Sequence, residues 1–439
     1  MSKIVIVGAG VGGLAFAYKY TGSAEIVLFE KKSREDLGFP WHDSVKAEVF
    51  DELGIPLPKK GVCGKKLFDM FSPSCRGYVP QRQKTVSGGY EIDRIELIKH
   101  LLSLAEDKAD MHFSTAVHGL ILNEGNVIGV KTDDGDFLAD MVIDASGAFS
   151  SLRREICPNE EDREPNPDEI LYCMRAMFKI DDGAYVPPKD AVYVKHLGGT
   201  ALSWLRTAPE SNNMDVFVSS IGTPLSAEYI ERAENDMRER NSAFSKNVVY
   251  RRYERLALRY PLSTMVYNSF AFVGDSAYTA NPVNGCGIEN ALRGGALLAD
   301  TLNNAKGFSI NDLWEYQVKF MRQVGSTLIA LDIFKRWVFD VSPEDIDWLF
   351  DTMIGEEIIE YLTTTEKKSF NPKIFLNKIP VAFDRKDILS EGLAVVSKAA
   401  QAKAFALMIP VKYDKKLVTS WEKRYNDYIR KRKKDKKVK

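Results

Sequence analysis

Four consecutive apolar residues, Ile4, Val5, Ile6 and Val7, run into Gly8 near the start of the chain, and Gly10, Gly12 and Gly13 follow. A short apolar run bounded by glycine predicts a buried parallel strand. The spacing beyond it predicts a helix over 14–20 and a second strand over 26–29, ending at Glu30. Next come a helix-like stretch over 44–54, strand-like segments within 65–90, and a helix from Arg94 to about residue 106. Strands are predicted near 110–114, 117–122, 126–132 and 137–143, with Asp133, Asp134 and Gly135 making the last two a hairpin. A small-residue turn over 144–154 closes this block.

Alternation of apolar and polar positions then marks a different unit. Strands are predicted near 171–180, 190–196, 201–207 and 214–221, with one helix over 225–240. The run from Phe270 to Asp275 reads as a buried strand returning to the first unit, followed by a long helix to about Asn303. Beyond 308 the pattern is helical nearly to the end, punctuated by Pro343, Pro372, Pro380 and Pro410. The expected domains are 1–164 with 266–306, then 165–265 as an antiparallel-sheet unit, then a helical region over 307–439.

At 439 residues and 45% apolar composition, the chain can bury a large core without covalent staples. Its five cysteines form no CxxC pair, so neither a metal site nor a secreted disulfide framework is expected. No apolar run approaches a membrane span, and the chain opens on a strand rather than a signal peptide. These features imply a soluble, cytoplasmic protein. A formal net charge of −1 hides an asymmetry: residues 415–439 carry 12 Lys or Arg and 3 Asp or Glu. A basic tail on an acidic body suits either a solvated end or a peripheral contact with an anionic membrane surface. Nucleic acid is not an expected partner.

Strand, glycine turn, helix, strand and terminal acid together form the dinucleotide-binding pattern. Glycines give the turn and close backbone approach, a helix N-terminus faces a pyrophosphate, and Glu30 suits ribose hydroxyls. Three further segments extend it: Asp93 with Arg94 at a helix start, Asp-Ala-Ser-Gly at 144–147, and Gly-Asp-Ser-Ala at 274–277 with its Asn-Pro-Val-Asn-Gly-Cys-Gly extension. In this order they resemble the FAD-binding scaffold of the para-hydroxybenzoate hydroxylase fold. That resemblance implies an α/β (α+β) protein: a Rossmann-like FAD domain, an antiparallel-sheet substrate domain and C-terminal helices. It also implies FAD contacts at Gly8, Gly10, Gly12, Gly13, Glu30, Arg94, Val117, Asp275, Pro282, Gly285, Gly287 and Ile288. In such scaffolds the arginine lies along the pyrophosphate and ribityl chain, the aspartate holds ribityl hydroxyls, and the 285–288 turn meets the flavin's pyrimidine end.

Within that fold the chain is similar to the geranylgeranyl reductase family, including archaeal enzymes that saturate isoprenoid chains of membrane lipids. The likeness is strongest over 273–287 and resumes at Leu313-Trp-Glu-Tyr316 and Ala330-Leu-Asp-Ile-Phe-Lys-Arg-Trp337. It implies hydride delivery from reduced flavin to a C=C bond of an isoprenoid or other apolar polyene, with ferredoxin or NAD(P)H as electron donor. Two segments depart from the family. Its Pro-Cys-Gly-Asp stretch is here Pro40, Trp41, His42, Asp43, and its YxWxFP motif is reduced to Ser203, Trp204, Leu205, Arg206. Trp41 and Trp204 are then candidate pocket walls, with Tyr278 and Asn281 beside them. His42 is a candidate proton donor, because an imidazole titrates near neutrality, or else a loop residue bonded to backbone. Cys286 is a redox candidate or a small buried thiol filling space.

Two other readings stay open: an FAD-dependent monooxygenase of an aromatic or polyketide-like substrate, and a non-catalytic flavin-binding protein at a membrane. A second GxGxxG, a CxxxxC pair, the WxWxIP signature of flavin halogenases, HExxH, GxSxG and Walker A are all absent.

Overall fold

The computed structural model describes residues 2–46, 48–64, 69–71, 78–79, 89–187, 189, 191–196, 202–241, 243–355, 358 and 385–430. Its architecture is mixed α/β: a parallel sheet, antiparallel sheets and a C-terminal helical region. Lys3–Val7 lies at the centre of the parallel sheet, with Met141–Asp144 on one side and Glu25–Glu30 on the other. Asp110–Phe113 forms one edge; on the other side Phe270–Phe272 follows Met141–Asp144, with the short antiparallel strand Val266–Tyr267 outside it. Ile4, Val5 and Ile6 are fully buried. Helices cover both faces of such a sheet, which is why the run is continuously apolar rather than alternating.

The helix Val11–Lys19 packs on the long helix Ile288–Asn304. A Cβ added at Gly295 would lie 2.3 Å from the Gly12 carbonyl oxygen, so the two backbones meet on glycine. This crossing brings the start of each helix to the same side of the sheet's carboxyl ends, where open α/β sheets bind ligands.

Among the described residues, the second sheet runs in the order Phe244–Ala257, Ile170–Ile180, Asn213–Ile221, Leu202–Thr207, Ala191–His196, Asp69–Phe71, Tyr78–Val79. Two short strands from before residue 164 thus join the antiparallel sheet. Its core is Met174, Ala176, Phe178, Met214, Val216 and Val218 under the helix Ala227–Arg240.

Three segments differ from the sequence expectation. Residues 44–46 do not start a helix but end the strand His42–Lys46, paired antiparallel with Gly89–Asp93; only Glu48–Leu53 is helical. The expected single strand over 137–143 is two strands. Gly135–Leu138 closes the hairpin with Asn126–Thr132, and Met141–Asp144 enters the parallel sheet. The chain turns between them at Asp140, whose carboxylate accepts the Lys3 N–H at 2.8 Å. The 14-residue strand Phe244–Ala257 was not expected at all. It lies at a sheet edge with most of its charged face outward, so its sequence carries little apolar alternation.

The last described helix, Lys415–Arg430, places Val418, Trp421, Tyr425 and Ile429 in the main core, and Tyr425 donates to the Pro261 carbonyl at 2.9 Å. Spacing by three and four gives it one apolar stripe, which the protein itself covers. Pro343 opens the helix Pro343–Thr352 behind the cap Ser342. Pro372, Pro380 and residues 431–439, most of the basic tail's charge, lie outside the described residues. No helix among the described residues is long and apolar enough to cross a membrane.

Candidate functional site: a cofactor cradle beside a buried ion network

Gly8 has φ +104°, and a Cβ there would lie 2.6 Å from the Ala145 oxygen, so only glycine fits the turn. Gly10 caps the helix Val11–Lys19 without a side-chain bond, leaving its first N–H groups open toward a ligand. Gly12 and Gly13 approach Val273 and the Gly8 carbonyl at distances no Cβ would allow. Glu30 closes the turn from below: its carboxylate accepts the Ala9 N–H at 2.8 Å and the Lys32 N–H at 2.9 Å.

Asp275 sits in the 3-10 turn Gly274–Ala277, directly after the strand Phe270–Phe272. Burial pushes its carboxyl up from the ordinary value, against the pull of the Arg94 guanidinium. Its Oδ1 and the Nε of Arg94 are both buried without a hydrogen-bond partner. Native interiors rarely leave such atoms unmatched, and those left over ask for a missing partner. Gly287 faces Asp275 Oδ1, where an added Cβ would come within 3.0 Å. The turn before it is held by Gly285 N–H on Asn281 O and Asn281 N–H on Cys286 O, both 2.8 Å. Gly285 takes φ +74°, and Gly287 caps the helix Ile288–Asn304 without a side-chain bond.

The residues present therefore fit an extended anionic dinucleotide with hydroxyl groups. A glycine turn and two open helix starts suit its phosphates and ring edge, and Arg94 and Asp275 supply one donor and one acceptor. Pro282 and Ile288 are buried beside this turn, and Val117 opens the strand Val117–Asn123, half-buried. Cys286 is exposed, which corrects the buried, space-filling reading.

Arg94 also leads into a second structure that sequence reasoning missed. Its Nη1 donates to Asp43 at 2.8 Å, and Asp43 accepts from Arg175 at 2.7 Å. Arg175 forks onto Asp215 at 3.0 and 2.7 Å, Arg206 reaches Asp215 at 3.1 Å, and Arg206 bonds Glu91 at 3.2 Å. Three cations and three carboxylates thus run from the cofactor side into the antiparallel sheet. Burial pushes the Asp43 carboxyl up, but Arg175 and Arg94 together outweigh it and hold the group at about 2. Burial acts likewise on Asp215, and the guanidiniums of Arg175 and Arg206 prevail there too. The available signal was one arginine inside the otherwise apolar stretch Ile170–Phe178, a position where an unpaired charge would be prohibitive.

The two candidate wall tryptophans belong to this network. The Arg175 guanidinium lies 5.0 Å from the Trp41 ring and 5.2 Å from the Trp204 ring. Trp41 stacks on Phe39, and Trp204 on Phe217. Tyr278 is clamped between Arg153 and Arg259, 4.3 and 4.4 Å from its ring, and is 1% exposed. Asn281 is buried and organises the 281–287 turn. His42 lies on a strand rather than in a loop. Its carbonyl accepts from Arg175 and Arg206, and its Nε2 is 3.1 Å from Glu210 Oε2. His42, Cys63 and Glu210 bring three side-chain donor atoms within 4.8 Å of one another.

The fold is that of the FAD-dependent hydroxylase-fold flavoproteins. A geranylgeranyl bacteriochlorophyll reductase-like protein of Thermoplasma acidophilum superposes with TM-score 0.72 at 18% identity, covering 90% of this chain and all of that one. Other structures of this fold contain bound FAD. No family model matches the chain. The resemblance to geranylgeranyl reductases extends over most of it. The digeranylgeranylglycerophospholipid reductase of Sulfolobus acidocaldarius is 25% identical over 388 residues, 83% of either protein. A reductase of the same name from Methanococcoides burtonii is 24% identical over 364 residues, 79% of this chain and 86% of that one. These relatives support an FAD-dependent oxidoreductase.

Proposed function

We propose that this chain binds FAD and reduces C=C bonds of an isoprenoid, either a prenyl lipid or another apolar polyene. The observation that carries the reading is a pair of unmatched buried atoms, Asp275 Oδ1 and Arg94 Nε, together with the helix starts at Gly10 and Gly287 that no side chain caps. Relatives named as lipid reductases over most of the chain supply the substrate class. Bound and reduced, FAD supplies the hydride. Gly8, Gly10, Gly12, Gly13 and Glu30 form the turn for its nucleotide half, with Val117 nearby. Arg94 and Asp275, each with an unmatched polar atom, would hold its middle. The 282–288 turn, with the uncapped helix start at Gly287, would border its ring.

The chain must also supply a proton and keep water from the reacting bond. His42, oriented by Glu210, is the proton-donor candidate, and Trp41, Trp204 and Asn281 wall the substrate side with Tyr278 behind the turn. Cys286, exposed on that turn, is the remaining redox candidate. Ferredoxin or NAD(P)H provides electrons. The test is product mass: holoenzyme, reductant and a geranylgeranyl glycerophospholipid without oxygen should give a gain of two hydrogens per bond. A product that forms only with oxygen and carries an added oxygen atom replaces this reading with the monooxygenase. General acids contribute about 100- to 10,000-fold to rate, so His42→Ala should slow turnover at least about a hundredfold at unchanged FAD content. A change under threefold would return His42 to a purely structural part.

A further inference from the structure

Exposed apolar residues scattered singly are ordinary on a protein surface; a cluster is not. Among the described residues, twelve large apolar or aromatic side chains are exposed, and four of them fall within eleven positions. Leu407 is 39% exposed, Met408 66%, Val411 64% and Leu417 60%. Leu407, Met408 and Val411 sit on the turn between the helices Lys386–Ala406 and Lys415–Arg430, and Leu417 in the first turn of the second helix. The turn is firmly built. Ile409 is buried in the main core, the Trp314 indole donates to the Pro410 carbonyl at 2.8 Å, and Tyr413 packs edge-on against Trp314. Asp414 caps the following helix, accepting the N–H groups of Lys416 and Leu417 at 2.9 and 3.0 Å. The four apolar side chains are therefore held outward by anchored backbone.

Lys412, Lys415 and Lys416 are exposed on the same turn, and its one acid, Asp414, is occupied as the cap. We propose that the 407–417 turn is a membrane-docking tip, which dips its four apolar side chains into an anionic lipid bilayer while the lysines rest on the headgroups. Apolar side chains ringed by lysine suit that interface. Protein–protein interface cores, by contrast, are depleted in lysine and enriched in aromatic anchors. The helix that follows cannot serve instead, because Val418, Trp421, Tyr425 and Ile429 are already spent on the core. The tip is thus distinct from the basic tail beyond residue 430.

The experiment is co-sedimentation of the full-length, flavin-loaded protein with vesicles of phosphatidylglycerol and phosphatidylcholine, against vesicles of phosphatidylcholine alone. It reads binding without turnover, so its failure leaves the proposed reaction standing. Wild type should sediment with the anionic vesicles. Met408→Asp with Val411→Asp should weaken binding at least about tenfold. Lys412→Ala, Lys415→Ala and Lys416→Ala together should weaken it roughly a hundredfold at low salt, about fivefold per lysine. Unchanged flavin content shows that the variants fold. A chain lacking 431–439 should bind more weakly yet keep its dependence on Met408 and Val411. Wild type that stays in the supernatant overturns the proposal, as does a Met408→Asp, Val411→Asp variant that binds like wild type. So does an apolar-site variant that changes only the oligomeric mass, since a second copy would then be the occupant.

Discussion

Arg94 belongs to two neighbourhoods that treat buried polar groups in opposite ways. Toward the glycine turn, its Nε and the Asp275 Oδ1 are buried and unmatched, and burial raises the Asp275 pKa. Toward the antiparallel sheet, its Nη1 enters a chain of ion pairs in which Arg175 uses all three of its nitrogens and Asp43 is held at about 2. A polar interior with atoms left over is prepared for a ligand, whereas a fully matched one is a finished wall. On the proposed function the first side is the receptor for the cofactor, and the 43–175–215–206–91 network is the partition that ties the antiparallel sheet to it.

The largest effect should come from breaking the partition. Arg175→Met removes the centre of the network and leaves Asp43 and Asp215 each short of a partner. Loss of one member of a buried pair costs about 3–5 kcal/mol, so the thermal midpoint should fall by roughly 5 °C or more. A midpoint within a degree of wild type would show that the network is solvated and the contrast false.

Asp275→Ala should act in the other direction on the ligand-free chain. It removes an unmatched buried carboxylate, so the flavin-free protein should be as stable as wild type or more so. Hydrogen bonds to charged groups are worth about 1.5–3 kcal/mol, so FAD affinity should fall about ten- to hundredfold, read by titration of the stripped protein. Destabilised apoprotein with normal FAD affinity would make Asp275 structural.

The smallest effect is in acid. Asp43 lies below its unfolded value of 3.8, so its contribution is complete above about pH 4 and is lost as pH falls toward 2. At 1.36 kcal/mol per unit this amounts to about 2 kcal/mol. Asp275, raised by burial, has the reverse sign: protonation favours the ligand-free fold, and that gain fades as pH rises. Urea unfolding from pH 5 to 2 should show an acid-side loss that Asp43→Asn flattens; parallel profiles for the two proteins would contradict the assignment.

The cofactor side was legible because its constraints are local. Gly8, Gly12 and Gly13 sit where no side chain fits, and Glu30, Arg94 and Asp275 each follow a recognisable strand or open a helix. The network was not legible, because its members come from positions 43, 91, 175, 206 and 215 and meet only once five strands of two sheets are in place. Nor does the sequence show that the Arg175 guanidinium lies against the rings of both Trp41 and Trp204. The strand Phe244–Ala257 escaped for a related reason: its order comes from pairing with Ile170–Ile180, not from its own apolar pattern. The turn at Asp140 was hidden because a distant backbone N–H makes it.

The flavin content of the freshly purified chain tests the central claim most directly. A site with two uncapped helix starts and unmatched buried atoms on Arg94 and Asp275 should carry about one FAD per chain, released intact on denaturation. Protein that is colourless and takes up no FAD on reconstitution would contradict the account.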